Sequence, residues 1–416
     1  MWYSIKLKGG ALYLSLIIGI VISLFLGLLV VLARYNHTSV LVSAIEQQLK
    51  YDLQSGINMA LSPAFSQEQN NRWLISDKGD SIKTKKIIWG AYQIIGVSSG
   101  RGKFSKHFSA LYGTATKRDT ALVVEDNGRP ISVSGKIEMN GNCYLPSPDL
   151  RPAFIEGLSF NGISNSGFIK SSPRHLPELN QNFVQAVTED VYQLNPNSDS
   201  IVSELHDWTK LSFTSKTAVW QSTSLRLHNV HYDGNIKMMC DEVLLEKDAF
   251  LEDVLIIADK VRIKEGFHGS VHIIARDSII VEDSCVLKYP SSLVVAKNKT
   301  SVEGGLKGIY IGKNSVIQGS LICYAPDVNN NEVPRCFVKL NQGCEVYGLL
   351  YSSGYLHLQG KLFGNAYGKR LMVKSNSATY ENHWIDTYVN PVKHSGSLMV
   401  AMCFNDNQKL TCCKSY

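Results

Sequence analysis

The sequence predicts a mainly β protein: an N-terminal transmembrane helix extended by an amphipathic helix, then a parallel, right-handed β-solenoid with a helical insertion. Three observations predict it. Residues 11–33 form an apolar run without a single charge. A four-residue apolar stripe carries the helical pattern on to residue 57. From Leu225 to Gly364, short alternating phrases recur about every 18 residues, the length of one coil of a parallel solenoid.

The first element is the anchor. Its 23 charge-free residues, Ala11 to Ala33, span roughly 34 Å as a helix, enough to cross the bilayer hydrocarbon. A cleaved signal peptide has a shorter apolar region, and no small-residue cleavage site follows this one, so the anchor is expected to stay. Lys6 and Lys8 precede it and Arg34 alone follows closely, which places residues 1–10 in the cytoplasm. The rest of the chain then lies beyond the inner membrane, in the periplasm of a bacterial host. Leu41, Ile45, Leu49, Leu53 and Ile57 make the stripe on residues 34–61. The stripe packs either on the protein's own outer domain or on neighbouring subunits. Ser62-Pro63 ends the helix, because proline cannot continue its hydrogen bonds.

The run Lys8-Gly9-Gly10-Ala11-Leu12, with a membrane helix continuing into an amphipathic one, resembles the N-terminus of type IV pilins and minor pilins. The resemblance covers about 50 residues and implies a subunit of a pilus or secretion apparatus. Pilins carry Glu at the fifth position after the processing glycine; here that position is Ser15.

Residues 62–130 read as a β-meander, with β-branched and aromatic runs such as Ile87-Ile88-Trp89 and Ala121-Leu122-Val123-Val124 broken by glycines. The solenoid is expected over 131–370, with a helical insertion near 177–194 carried by Leu179, Phe183, Val187, Val191 and Leu194. Residues 371–416 are left as a cap or tail. Within the repeat, Leu227, Leu245, Ile263, Ile280, Ile311, Leu340 and Leu358 stand at equivalent places, 18, 18, 17, 31, 29 and 18 residues apart. A second, more apolar phrase accompanies them: Val254-Leu255-Ile256-Ile257-Ala258, Val271-His272-Ile273-Ile274-Ala275, then Leu293-Val294-Val295-Ala296. Charge supports the register. Glu242 falls over Lys260, Glu246 over Lys264, Lys247 over Glu265, Asp259 over Arg276 and Lys260 over Asp277. Asp241 over Asp259 and Glu265 over Glu282 run against it.

The run from Ile311 to Leu321 resembles bactofilins and related polymer-forming β-helix proteins. It also fits a hexapeptide repeat, through Ile311, Ile317 and Cys323, which would wind left-handed. The neighbouring coils lack that six-residue subdivision, which favours the right-handed form.

Composition excludes several functions. The balance of 44% apolar and 19% charged residues is globular. A net charge of +6 without a basic run gives no reason for nucleic-acid binding. Nine cysteines include no CxxC pair, so no metal site is indicated. Phosphate-loop, nucleophile-elbow and zinc-protease motifs are absent, and no cofactor is expected. Asp259, Glu265, Asp277, Glu282 and Asp283 alternate with basic residues as a solvated ladder does, and no catalytic residue is assigned. His268 and His272 lie between coils without a motif. Cys285, Cys323 and Cys344 fit the core, while Cys323 and Cys336 flank one insertion and are a candidate disulfide.

The expected function is a membrane-anchored structural or assembly component of the bacterial envelope, touching lipid through residues 11–33 and other envelope or pilus-like proteins, with an oligomer left open. The alternative is a solenoid enzyme acting on envelope polysaccharide. Two insertions leave the repeat after equivalent phrases and should project together: one with Asn298, Lys299 and Glu303, the other with Asp327, Asn330 and Glu332. Loops on a rigid scaffold are common binding surfaces, though insertions are also tolerated without a task. Cutting each to a two-residue glycine turn should leave thermal melting unchanged and release co-purifying partners; retention of every partner would make the loops decoration.

Overall fold

The computed structural model describes residues 9–416 apart from 63–64, 66–69, 76–78, 116–118, 156, 197, 297–306, 327–332, 334, 376–377, 392–397 and 405–409. The chain is mainly β, with one long N-terminal apolar helix. It divides into two units, Met1–Thr84 with Val97–His107, and Lys85–Gly96 with Phe108–Tyr416.

In the first unit, α1 runs unbroken from Gly9 to Leu61, roughly 80 Å at 1.5 Å per residue. Its large apolar side chains from Leu12 to Leu32 are exposed. From Leu49 onward one face is buried, formed by Leu49, Asp52, Gly56 and Ala60. The expected stripe stepped by four and included Leu53 and Ile57, which are only half-buried, and Leu41, which is exposed. A helix turns every 3.6 residues, so a four-residue stripe drifts around it and the contact face must mix steps of three and four. The face packs on the unit's own strands. The Ser99 hydroxyl donates to the Leu49 carbonyl at 2.9 Å, and Lys106 lies 3.2 Å from Glu46. Gly56 sets the approach: a Cβ there would stand 2.5 Å from Val97 Cγ1.

In the second unit, segments far apart in sequence pair in parallel. Leu245 faces Ile263, Ile263 faces Val281, Val281 faces Ile311, and Ile311 faces Leu340. The expectation placed Ile280 where Val281 stands. The cause is a bulge: Arg276 and Asp277 together oppose Asp259, so the offset changes from 17 at Ala258 and Ala275 to 18 at Lys260 and Ser278. The correction removes a like-charge pair. Glu282 meets Lys264 at 3.3 Å rather than Glu265, and also holds Arg262 at 3.3 Å. Asp259 keeps Arg276 at 3.4 Å, whereas Lys260 faces Ser278 and reaches back to Glu242 at 3.5 Å.

The second phrase forms another ladder, Ile256, Ile273, Leu293, Leu321 and Leu350, all buried inward. The intervening residues Ile257, Ile274, Val294, Ile322 and Tyr351 are buried as well, on the opposite face, against Trp89, Tyr92, Leu111 and Phe183. A strand covered on both faces loses its alternation, which is why these runs read as continuously apolar.

The order of the stack departs from the order of the chain. Ala366 faces Leu122, Leu122 faces Cys143, and Cys143 faces Ile169. Likewise Trp384 faces Val133. The parallel pairing thus includes residues from Thr120, not 131, and the segment 120–171 stands beyond 383–389. The chain then returns to Asp199–Val202, which pairs with Thr217–Gln221 at the other end. The return carries α2, Gln181–Thr188, shorter than the expected 177–194. Asn180 ends it on the N-terminal side by accepting from the Asn182 and Phe183 amides. Leu179, Phe183, Val187 and Val191 are buried, as the stripe required, whereas Leu194, beyond the last turn, is exposed. Of residues 371–416, His383–Val389 joins the parallel ladder, and Thr411–Ser415 pairs antiparallel with residues 110–113.

Gly56→Val should destabilise the first unit by about 1–3 kcal/mol, the usual cost of forcing atoms into a close contact. Hydrogen exchange in residues 43–61 and 97–101 should quicken, with the parallel ladders unaffected; unchanged exchange would mean the helix does not rely on this approach.

Candidate functional site

Two polar assemblies on the second unit carry the chemistry. The first begins at Asp253, a bulge residue with φ +57° between Glu252 and Val254. The bulge turns its side chain out of the ladder while leaving it fully buried. Its carboxylate accepts from Ser270 at 2.9 Å and meets the Lys414 ammonium at 2.5 Å; Lys414 also holds Glu252 at 2.7 Å. The Asp253 carbonyl accepts from the Trp89 indole at 2.7 Å. Burial lowers the Lys414 affinity for its proton, but Asp253 and Glu252 outweigh it and the net shift is upward.

Beside it runs the column His272, Ser292 and Ser320. The His272 ring nitrogen Nδ1 lies 2.9 Å from Ser292 Oγ, which accepts from the Ala91 amide at 3.1 Å. Ser320 accepts from the Ala401 amide at 2.9 Å. Gly90, at φ +62°, is required here, since a Cβ would lie 2.2 Å from Ser292 Oγ. Asp253, His272 and Ser292 are residue types of a hydrolytic triad, and here they hold Trp89 and Ala91 against the ladder. All three are fully buried, the Ser292 hydroxyl is occupied by Ala91, and Asp253 Oδ1 is 4.0 Å from His272 Nε2. Burial pushes His272 down to about 4, so it is neutral near pH 7 and forms no ion pair with Asp253. The assembly fastens the 89–92 turn and the C-terminal strand to the ladder.

The second assembly is an open groove of about 480 Å³. It crosses four rungs, drawing Gln342 and Gly343 from one, Gln359, Gly360, Lys361 and Phe363 from the next, Asp386, Thr387 and Tyr388 from the third, and Lys136 and Glu138 from the fourth. Lys361 pairs with Glu345 at 2.9 Å, and Lys136 pairs with Glu138. Phe363 stacks on Tyr347 with centroids 4.6 Å apart and tilts against Tyr388 at 5.6 Å. Asp386 sits at a bulge with φ +37°, opposite Gly135.

Sequence reasoning gave no site role to the groove residues, because the stacking of 132–139 on 383–389 creates the groove. Asn298, Lys299, Glu303, Asp327, Asn330 and Glu332 lie outside the described residues. Their points of departure are adjacent, since Ala296 faces Tyr324. Cys323 and Cys336 are buried free thiols, with Cys336 Sγ 3.6 Å from the Cys323 carbonyl. Cys285 and Cys344 are core residues, as expected. His268 is exposed and contacts the Gly266 carbonyl at 2.8 Å. Among the described residues, no group of three metal-ligating side chains converges.

No protein-family model matches the chain, and no curated protein matches it. Among solved structures it is similar to the competence-associated pilin ComZ from Thermus thermophilus, at 8% identity over 83% of this chain and 86% of that one, with a TM-score of 0.22. A likeness at that score carries no weight for fold or function, and the resemblance to bactofilins finds no support in these comparisons.

His357 is also pushed down to about 4, by burial first and by the nearby Lys339 charge second. Both histidines ionise near 6.5 when unfolded. The unfolded chain therefore binds protons that the folded one refuses. Their stabilising contribution is complete above about pH 6.5 and is lost as the pH falls toward 4, on the order of 3 kcal/mol each. Melting temperature should decline across that window, and His272→Gln with His357→Gln should flatten the decline; an equal slope in the double variant would refute the assignment.

Proposed function

We propose that the chain is a membrane-anchored structural or assembly component of the bacterial cell envelope, pilin-like in the way its body is displayed. In this reading the stacked ladders are a right-handed β-solenoid on the periplasmic side of the inner membrane. The observation that carries the reading is α1. One continuous helix offers about 20 exposed apolar residues, then buries its last turns in the strands of its own unit. A rigid joint of that kind holds the attached strands at a set distance from the bilayer. Ser15 fits a lipid-facing position, because its hydroxyl donates to the Leu12 carbonyl at 2.8 Å and leaves no polar group unsatisfied. Lacking the acidic side chain of pilins there, residues 11–33 offer no charge to a neighbouring subunit.

The reading is non-catalytic and involves no cofactor. It is supported by the use already made of the candidate acids: Asp259 and Glu282 pair with cations, and Asp283 accepts from the Lys313 amide at 2.7 Å. The partners proposed are membrane lipid, through residues 11–33, and other envelope or pilus-like proteins.

Protease added to spheroplasts should digest the chain and leave an anchor fragment of about 35 residues, while intact cells protect it. Full protection in spheroplasts would reverse the proposed orientation.

A further inference from the structure

We infer that the groove between residues 342–343, 359–363, 386–388 and 136–138 binds a short stretch of an extended, uncharged polysaccharide chain. The inference goes beyond the anchoring role and does not depend on it.

Its charges neutralise one another at the rim. Lys361 has Glu345 beside it and Lys136 has Glu138, so each cation carries a neighbouring carboxylate that opposes an anionic ligand. What the groove offers is a mixture of donors and acceptors: the exposed Gln342 amide, the Gln359 amide beside His357, the Asp386 carboxylate, which takes the Lys136 amide on one oxygen and leaves the other, and the Tyr388 hydroxyl, which accepts from Asn390 and keeps its proton to donate. Hydroxyl groups both donate and accept, so they match such a mixture. The base is partly apolar, through the half-buried ring of Tyr388; Phe363 is itself buried between Tyr347 and Tyr388 and supports that ring from below. A pyranose presents the same combination, with equatorial hydroxyls around an apolar C–H face.

The rung spacing supplies the second argument. Neighbouring strands lie about 4.8 Å apart, close to the length of one pyranose in an extended chain. Gln342, Gln359 and Asp386 come from successive rungs, so a chain lying along the stack would meet one polar side chain per sugar. An extended peptide fits less well. It would need an open strand edge to pair with. Tyr388 and Val389 are paired on both sides, with Glu138 and Met139 and with Lys361 and Leu362, and leave no free edge there.

The experiment uses the full chain in a detergent without a sugar headgroup. Chitotetraose, cellotetraose and maltotetraose are tested by saturation-transfer NMR and titration calorimetry. At least one should bind. Gln342→Ala combined with Asp386→Asn should weaken it tenfold or more without moving the melting temperature; asparagine tolerates the positive φ at 386. Gln342→Trp, at an exposed position, should abolish binding by filling the groove, and it serves if the double variant folds poorly. Failure of all three sugars to bind, or binding that survives Gln342→Trp, overturns the inference. Neither result touches the anchoring proposal, which the protease experiment tests separately.

Discussion

The parallel register between rungs is the constraint on which the second unit depends. Each strand donates and accepts along both edges, and its inward side chains meet equivalents above and below. The column Ile256, Ile273, Leu293, Leu321 and Leu350 is buried only because the register holds. A slip of one residue would turn every such side chain to the opposite face. Burial of apolar area, at about 25 cal/mol per Å², therefore enforces pairing along the whole stack. The surface charges follow the register. Lys264 meets Glu282 because Ile263 and Val281 are fixed beneath them.

Bulges are where this regularity is broken, and both polar assemblies sit beside one. Asp253 and Asp386 adopt positive φ and leave the ladder. At Asp253 the result is a buried carboxylate, costly to remove from water unless paired and hydrogen-bonded. Lys414, Ser270 and the Tyr416 hydroxyl surround it, and burial together with Asp253 drives that hydroxyl to hold its proton more tightly. The arrangement ties the last residues of the chain to its middle. At Asp386 the bulge instead widens the surface and leaves a groove.

The apolar outer face of the second ladder needs cover, and the chain supplies it from several places, among them residues 89–94 with Leu111, α2 with its following turn, and residues 400–403. Ser292 and Ser320 each take one backbone amide of a covering segment, which fixes where it lies as well as that it lies there. Directional hydrogen bonds add a position that apolar contact alone does not specify.

Much of this was legible in the sequence. Length without charge marked the long apolar helix, and period marked the rungs, because 18-residue spacing and alternation are local properties of the chain. Leu245 and Ile263, or Ile311 and Leu340, were paired correctly on those grounds. Ile280 was not, because a bulge adds a residue without changing the apolar pattern. The sequence alone therefore determined the long apolar helix, the repeat and most of the inward columns. Only the tertiary structure decided that residues 120–171 stack beyond 383–389, and with that where Lys136, Glu138 and Asp386 meet. The physical reason is that parallel strand edges pair with whichever suitable edge is brought beside them, and nothing in a local pattern states which distant segment that will be.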